Sequence, residues 1–150
     1  MAFVHLHTHT EYSLLDGSNK IKEYVARVKE LGMNSAAITD HGNMYGVIEF
    51  YKTAKEAGIN PIIGCEVYVA PRTRFDKEHT VEAEYTHLIL LCKNETGYKN
   101  LCYLVSTAFT EGFYIKPRID WELLHEHAEG LVCLSGCVAG AIPRMINAGN

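Results

Sequence analysis

Three histidines near the amino terminus, His5, His7 and His9, alternate with other residues. In an extended segment, side chains two positions apart point to the same face, so two neutral imidazoles can converge on one divalent ion from a single strand edge. Asp16 follows them in a segment without a regular period, which we interpret as a loop. Three converging imidazoles from one strand would be unusual, so we expect one of the three histidines to have another role.

Further candidate ligands lie at the ends of later apolar segments. One such residue alone is more often structural than a ligand, but their recurrence favours a cluster of ions. Imidazole, carboxylate and thiolate together suit Zn²⁺ or a similar first-row ion better than Mg²⁺ or Ca²⁺ alone. These candidates are Asp40 and His41 after the run 35–39, Glu66 in the run 61–69, His87 in the run 86–92, and Cys137 after the run 131–135.

Three of these candidates also have an ordinary structural interpretation. His87 opens its predicted strand instead of closing it, and on pattern alone a core histidine is the preferred interpretation. Cys137 could equally be a small core residue at the start of the last helix. Asp40 either orients a histidine without binding metal or caps the turn at Gly42. The sequence contains no glycine-rich phosphate loop and no serine nucleophile motif.

The elements that must position these residues alternate between strand and helix. The patterns predict strands over 3–9, 35–39, 61–69, 86–92 and 131–135, and helices over 21–31, 45–57, 98–109, 120–126 and 138–146. Strands that are apolar along most of their length are typical of a parallel sheet covered by helices, whose functional residues lie at the carboxyl ends of the strands. Five strands make an open half of a barrel, since a closed one takes roughly 250 residues. We therefore expect the amino-terminal part of a longer protein.

Composition limits the class of protein further. The 150 residues are 47% hydrophobic and 21% charged, which is typical of one globular domain or part of one. A net charge of -4 argues against a domain that binds nucleic acid through a broad basic surface. Five cysteines, of which Cys92, Cys102 and Cys133 lie in predicted core segments, favour reduced thiols and a cytoplasmic location. We expect neither secretion nor membrane insertion, because no apolar leader or membrane-length run is present.

Several segments resemble the polymerase and histidinol-phosphatase (PHP) domain. They are residues 7–17, 38–43, 64–66, 87 and 134–137. Residues 46–51, 96–101 and 111–120 are similar to the group of PHP domains at the amino terminus of bacterial replicative DNA polymerases, and not to free-standing phosphatases. The resemblance covers nearly the whole chain.

The resemblance implies an α/β fold, a distorted seven-stranded β/α barrel of which this chain would supply roughly the first five β/α units. It also implies up to three divalent ions, Zn²⁺ or Mn²⁺, at the carboxyl edge of the strands, with His5 left out as a ligand. The family's Asp-x-His motif is absent from these 150 residues, so one histidine and one aspartate would have to come from elsewhere. The implied ligand sets are His7, His9 and Glu66 for one ion, Glu66, His87 and Cys137 for a second, and Asp16 and His41 for the third.

The implied activity is metal-dependent hydrolysis of phosphoesters, with removal of 3′-terminal nucleotides from DNA. His7, His9 and Glu66 would act through a metal-bound water whose pKa the ions lower. Polymerisation would belong to palm, fingers and thumb domains outside this sequence, and the partners would be DNA, the polymerase core in the same chain and a proofreading exonuclease subunit. The alternative is a structural module that the ions stabilise and that holds the polymerase core or the exonuclease. A free-standing enzyme similar to histidinol phosphatase is a third interpretation.

Overall fold

The computed structural model describes residues 3–77 and 85–149, which form a mixed α/β fold. The charged stretch 71–84, whose composition predicts a surface loop, lies partly outside the described residues. All five predicted helices are confirmed, with ends within three residues of the expected positions. In chain order the elements are α1 (Ile21–Glu30), β1 (Ser35–Ile38), α2 (Val47–Ala57), β2 (Asn60–Val69), β3 (Thr86–Cys92), α3 (Glu95–Thr110), β4 (Arg118–Ile119), α4 (Trp121–Glu126), β5 (Leu131–Leu134) and α5 (Ala141–Asn147).

Strand β2 lies at the centre of the sheet and shows that the predicted all-parallel arrangement is wrong. It pairs in parallel with β1 and β4 but antiparallel with β3, and β5 pairs antiparallel with β3. Parallel neighbours need a crossover connection, which is usually a helix, and the described part of the β2–β3 connection contains none. The chain therefore returns along β2 in the opposite direction, and β3 alone among the five strands is reversed.

The opening segment is extended, but the prediction of a strand over residues 3–9 is wrong. Only two backbone hydrogen bonds join it to β1 and its extension, from Ala37 N–H to His5 O (3.2 Å) and from Thr39 N–H to Thr8 O (2.9 Å). The Thr39 hydroxyl accepts from Thr8 N–H at 2.8 Å and donates to Thr8 O at 3.0 Å. The Thr39 side chain thus replaces backbone-to-backbone hydrogen bonds at this point. It keeps the segment beside β1, but the segment does not form a regular strand.

The helices and the candidate site lie on opposite faces of the sheet. Cys65, Val67 and Leu88 pack against α3 in one buried core, and a second core surrounds Phe50 between α1 and α2. On α2, the helical spacing predicts Ile48 and Tyr51 on the same inward stripe as Val47 and Ala54, but both are exposed. Successive strand residues point to opposite faces, so Glu66 and its register neighbours on β3 point away from α3.

Two smaller features differ from the expectations. Strand β4 is only two residues long, too short to leave an alternating pattern, and was not predicted. Cys133 was expected in the core, but β5 leaves it exposed. None of the described helices is long and apolar enough to cross a bilayer.

Candidate metal centre

His7, His9 and Glu66 meet at a single carboxylate oxygen. His7 Nε2 lies 2.5 Å and His9 Nε2 2.7 Å from Glu66 Oε2, and the two nitrogens are 3.1 Å apart. Two ligand nitrogens on a tetrahedral ion, each with a bond of 2.0–2.1 Å, are about 3.3 Å apart. The Glu66 side chain is only 3% exposed, whereas that of His7 is 39% exposed, so the group lies at the floor of an open cleft.

Asp16, His41 and His87 extend this group on the same face. His41 Nε2 lies 2.9 Å from Asp16 Oδ2, and His9 Nδ1 lies 3.6 Å from the same oxygen. On its other side, His41 Nδ1 is 3.7 Å from Glu66 Oε2. The donor atoms form three overlapping groups in which every atom lies within 4.8 Å of the others: His7, His9 and Glu66; His9, Asp16 and His41; and His41, Glu66 and His87.

Two imidazole nitrogens of this cluster have no hydrogen-bond partner among the described residues. His41 Nδ1 and His87 Nδ1 are both buried and unbonded. Buried polar atoms are normally satisfied, so an orphaned nitrogen beside a carboxylate calls for an explanation. Neutral imidazole nitrogens and a carboxylate are the usual ligands of first-row ions. The donor set therefore fits a divalent ion, and the orphaned nitrogens are where additional bonds could form.

The position of His87 follows from the reversed direction of β3. His87 pairs with Tyr68, two residues past Glu66 on β2. Because β3 is antiparallel, its amino-terminal end lies at the edge of the sheet where β2 ends. The reason for expecting a core histidine at this position, that His87 opens its strand, therefore does not apply.

Asp40 fixes the loop that carries Asp16. Its carboxylate is buried and accepts from Thr10 N–H (2.5 Å), the Thr10 hydroxyl (2.7 Å) and the Ser13 hydroxyl (2.9 Å). Ser13 Oγ in turn accepts from His41 N–H at 3.0 Å. The side-chain contacts of Asp40 are thus with the loop and not with an imidazole ring, and its role in orienting a histidine stays a prediction.

The surroundings set the protonation states of three donors. Burial acts to raise the pKa of Glu66, but hydrogen bonds from His9 and His7 and the charge of His41 outweigh it and lower that pKa to about 2. The hydrogen bond to Glu66 raises the pKa of His9, against the opposing effect of burial. Burial lowers the pKa of His87. Glu66 is therefore ionised and His87 neutral at pH 7, as metal ligands must be.

The family model described as "PHP domain" matches residues 5–150. The chain belongs to the PHP domain family. Among curated proteins, the DNA polymerase III subunit alpha of Treponema pallidum is 56% identical over 97% of this chain and 13% of its own length. The DNA polymerase III subunit alpha of Chlamydia pneumoniae is 54% identical over 95% of this chain and 12% of its own length. The chain thus spans about one eighth of the length of these relatives.

Similarity to solved structures is weaker. An amidohydrolase from Chromobacterium violaceum, solved with bound sulfate and no metal, overlaps with 71% of this chain and 34% of its own. The TM-score is 0.48 and the identity 23%. The membership of the PHP family therefore rests on the family model and on the curated relatives.

Cys137 stands apart from the other predicted ligands of the PHP domain. Its side chain is exposed, and its thiol belongs to none of the three donor groups found among the described residues. The backbone just before it lies against β3, since a Cβ atom at Gly136 would be 3.0 Å from the His87 carbonyl oxygen. The segment is thus at the correct end of β3 while the thiol is not in the cluster, and its assignment as a ligand stays a prediction.

The PHP domain also places residues at the cleft that the sequence reasoning did not single out. Tyr68, Tyr85 and Lys116 line a cavity together with Asp16 and other donors. A tyrosine in an apolar strand is indistinguishable by pattern from a core residue, so Tyr68 carried no signal. Lys116 lies in the segment 111–120, which was noted for its resemblance to the polymerase group but given no chemical role.

Proposed function

We propose that this chain is the amino-terminal part of the PHP domain of a bacterial DNA polymerase III alpha subunit, and that the complete domain is a metal-dependent phosphoesterase that removes 3′-terminal nucleotides from DNA. The observation that carries the proposal is the convergence of imidazole and carboxylate donors around Glu66, with two orphaned nitrogens in the same cluster. The curated relatives support the assignment to the alpha subunit. The polymerase core in the same chain and a proofreading exonuclease subunit are the proposed protein partners, and the proposed location is the cytoplasm.

The finer architecture and the ligand assignments belong to the same proposal. The complete domain would be a distorted seven-stranded barrel to which this chain contributes roughly the first five β/α units. Up to three ions, Zn²⁺ or Mn²⁺, would be held by the three donor groups, with Cys137, a further histidine and a further aspartate completing the set. Divalent ions at this position lower the pKa of water towards neutrality and neutralise charge on phosphoryl oxygens.

The residues of the chain contribute a prearranged set of charges. Glu66 stays ionised because its pKa is held at about 2, so no proton competes for its carboxylate at pH 7. Asp40 holds the loop 10–16 against β1 through buried hydrogen bonds, which keeps Asp16 within reach of His41. A cluster positioned in this way needs little rearrangement when a phosphodiester enters the cleft.

The test compares the full natural protein that carries this sequence with its Glu66→Gln variant. Gln keeps the size of the side chain and removes its charge. Hydrolysis of a 5′-labelled single strand of DNA in Zn²⁺ or Mn²⁺ should fall at least about 100-fold. Mutation of residues that only hydrogen-bond to metal ligands already lowers metal affinity or activity by 10–100-fold. The matched control is Glu122→Gln, which alters an exposed residue of α4 and should leave activity unchanged. Equal activity of wild-type protein and Glu66→Gln would overturn the proposal.

A structural role is the second candidate, and one observation favours it. The last helix and the turn before it expose apolar side chains, which the remainder of a protein eight times longer could cover: Val138 (75% exposed), Ile142 (46%), Met145 (58%) and Ile146 (66%). In that case, a chelator should lower the unfolding temperature of the full protein while no metal supports hydrolysis. Hydrolysis that depends on Glu66 would exclude a purely structural role.

A further inference from the structure

A cleft of about 550 Å³ opens beside the donor cluster. Asp16, His41 and His87 line it together with Tyr45, Tyr85 and Lys116. Tyr45 is 67% exposed, so part of its ring is available to a bound molecule. The cleft thus joins metal-type donors to aromatic faces and a single amino group.

Lys116 follows a strained turn. Ile115 has φ of +62°, and it is the only non-glycine residue with positive φ within residues 3–77 and 85–149. The Lys116 N–H donates to Tyr114 O at 2.6 Å, and the Tyr114 N–H donates to Lys116 O at 3.0 Å, so the chain reverses around one residue. A β-branched residue in this region is a genuine outlier, and such strain persists where the surroundings impose it, often at functional sites.

Buried contacts impose the turn. Arg118 is fully buried and donates from Nε to Gly112 O at 3.2 Å and from Nη2 to Asp76 O at 2.7 Å. Its guanidinium carbon lies 5.2 Å from the centre of the Tyr114 ring. On the other side, a Cβ atom at Gly42 would come within 3.0 Å of Pro117 Cγ. The turn is therefore seated directly on the segment that carries His41, and its position relative to the donors is fixed.

The amino group of Lys116 points over this site. Lys116 Nζ lies 5.5 Å from the centre of the Tyr68 ring, and that ring stacks on His41 at 6.0 Å and lies 5.1 Å from His87. No carboxylate of the described residues pairs with Lys116, unlike Lys99, which pairs with Glu95 at 2.8 Å. In a chain with a net charge of -4, a local unpaired cation is where an anionic group would be attracted.

We propose that Lys116 is a substrate-binding residue that holds a phosphate group of a nucleotide, distinct from the scissile phosphodiester at the donor cluster, with the nucleoside against the tyrosine side chains that line the cleft. This inference rests on the proposed function and adds to it the residue that recognises the substrate. An ammonium group binds phosphate as a point charge. Tyrosine faces accept any base by stacking, which matches a site that removes nucleotides without regard to sequence.

The first test measures kinetics on the 5′-phosphorylated thymidine dinucleotide, which carries a phosphate group besides its scissile phosphodiester, with the full natural protein in Mn²⁺. Lys116→Met keeps the aliphatic stem and removes the charge. It should raise KM about tenfold and change kcat little, since the lost interaction is made equally with bound substrate and transition state. Lys116→Arg should restore most of the affinity. The control Lys52→Met alters an exposed lysine of α2 and should leave both constants unchanged.

The second test is equilibrium binding of thymidine 5′-monophosphate and of inorganic phosphate to the chelated protein, which needs no turnover. Thymidine 5′-monophosphate should bind more tightly than phosphate and lose about tenfold in Lys116→Met. Equal affinities for the two probes would overturn the nucleotide assignment. Unchanged binding and KM in Lys116→Met would overturn the role of Lys116 while leaving the proposed function intact. Conversely, Lys116-dependent binding without hydrolysis in any metal would contradict the proposed function but support the binding site.

Discussion

Replacing Glu66 by Gln should remove a pH-dependent part of the stability of the metal-free protein. The carboxylate is nearly fully buried, and its pKa is about 2 in the folded chain against an ordinary value of 4.5. Each pKa unit corresponds to 1.36 kcal/mol, so the difference of roughly 2.5 units corresponds to about 3 kcal/mol of free energy of unfolding. Glutamine fills the same space without the charge, so this contribution should be absent in the variant.

The contribution of the Glu66 carboxylate to the free energy of unfolding has a lower and an upper pH limit. Because the folded pKa of Glu66 is depressed, its stabilising effect is complete above pH 4.5 and is lost as the pH falls towards 2. The raised pKa of His9 sets the upper limit, since the protonated imidazole that pairs with Glu66 stabilises below pH 6.5 and loses that effect as pH rises through its folded pKa. The gap between wild-type protein and variant should therefore be widest between about pH 4.5 and 6.5.

Urea unfolding in the presence of a chelator measures this gap. At pH 5.5 we expect Glu66→Gln to be about 3 kcal/mol less stable than wild-type protein, and at pH 3 the gap should shrink to about half of that. Glu122→Gln, on the exposed face of α4, should match wild-type protein at both values. A gap that is the same at pH 3 and pH 5.5, or that is absent at pH 5.5, would refute the assignment of a buried ionised carboxylate paired with His9.

Three further substitutions test other parts of the structure. Asp40→Asn should lower the free energy of unfolding by about 2–4 kcal/mol in urea, because one amide oxygen cannot accept the three buried hydrogen bonds that the carboxylate accepts. Asp120→Asn should cost about 2 kcal/mol at pH 7 in the same assay, the size of a hydrogen bond to a charged group, and less below pH 3.8, because burial acts to raise the Asp120 pKa but bonds from Arg74 and the α4 amino terminus outweigh it and lower that pKa. Ile115→Gly should be neutral or stabilise by up to about 1 kcal/mol in thermal unfolding, because glycine tolerates positive φ.

Each of these expectations has a contradicting result. Asp40→Asn with wild-type stability would mean that the loop is held by other contacts. An Asp120→Asn loss of equal size at pH 3 and pH 7 would exclude an ionised carboxylate as its cause. Ile115→Gly with a loss as large as that of Ile48→Gly, an exposed isoleucine inside α2, would mean that the turn carries no strain.

Residue types and spacing were enough to find most of the donors, because imidazoles and carboxylates are rarely placed at the same edge of successive strands by chance. His41 and Glu66 were identified in this way, whereas the choice of His7 and His9 over His5 came from the resemblance to the PHP family. The structure brings the donor atoms of all four residues together. The hydrophobic pattern does not show the direction in which a strand runs in the sheet. An apolar run of seven residues looks the same whether its strand is parallel or antiparallel. The pattern alone therefore could not show that the beginning of β3 would place His87 beside the other donor residues.

The sequence pattern also could not predict features that depend on single side chains. The opening segment has the alternation of a strand, yet the Thr39 hydroxyl interrupts its ladder with β1. Strand β4 is two residues long and exists because Arg118 and Ile119 continue the turn onto the end of β2. Lys116 gains a role only through the conformation of Ile115, and positive φ at a β-branched residue is the opposite of what local propensity predicts.

The residues that fix the shape of the cleft are different from the residues whose donor atoms are available to an ion. Asp40, Thr10 and Ser13 are buried and fully bonded to each other, so they need no metal to fix the loop against β1. His41 and His87 keep unbonded nitrogens in the same region, a cost that a stable scaffold can bear and that bonds to an ion would remove. Selection for stability alone would favour satisfied or apolar residues at both positions, so the unsatisfied nitrogens are the physical feature that best supports the proposed metal site.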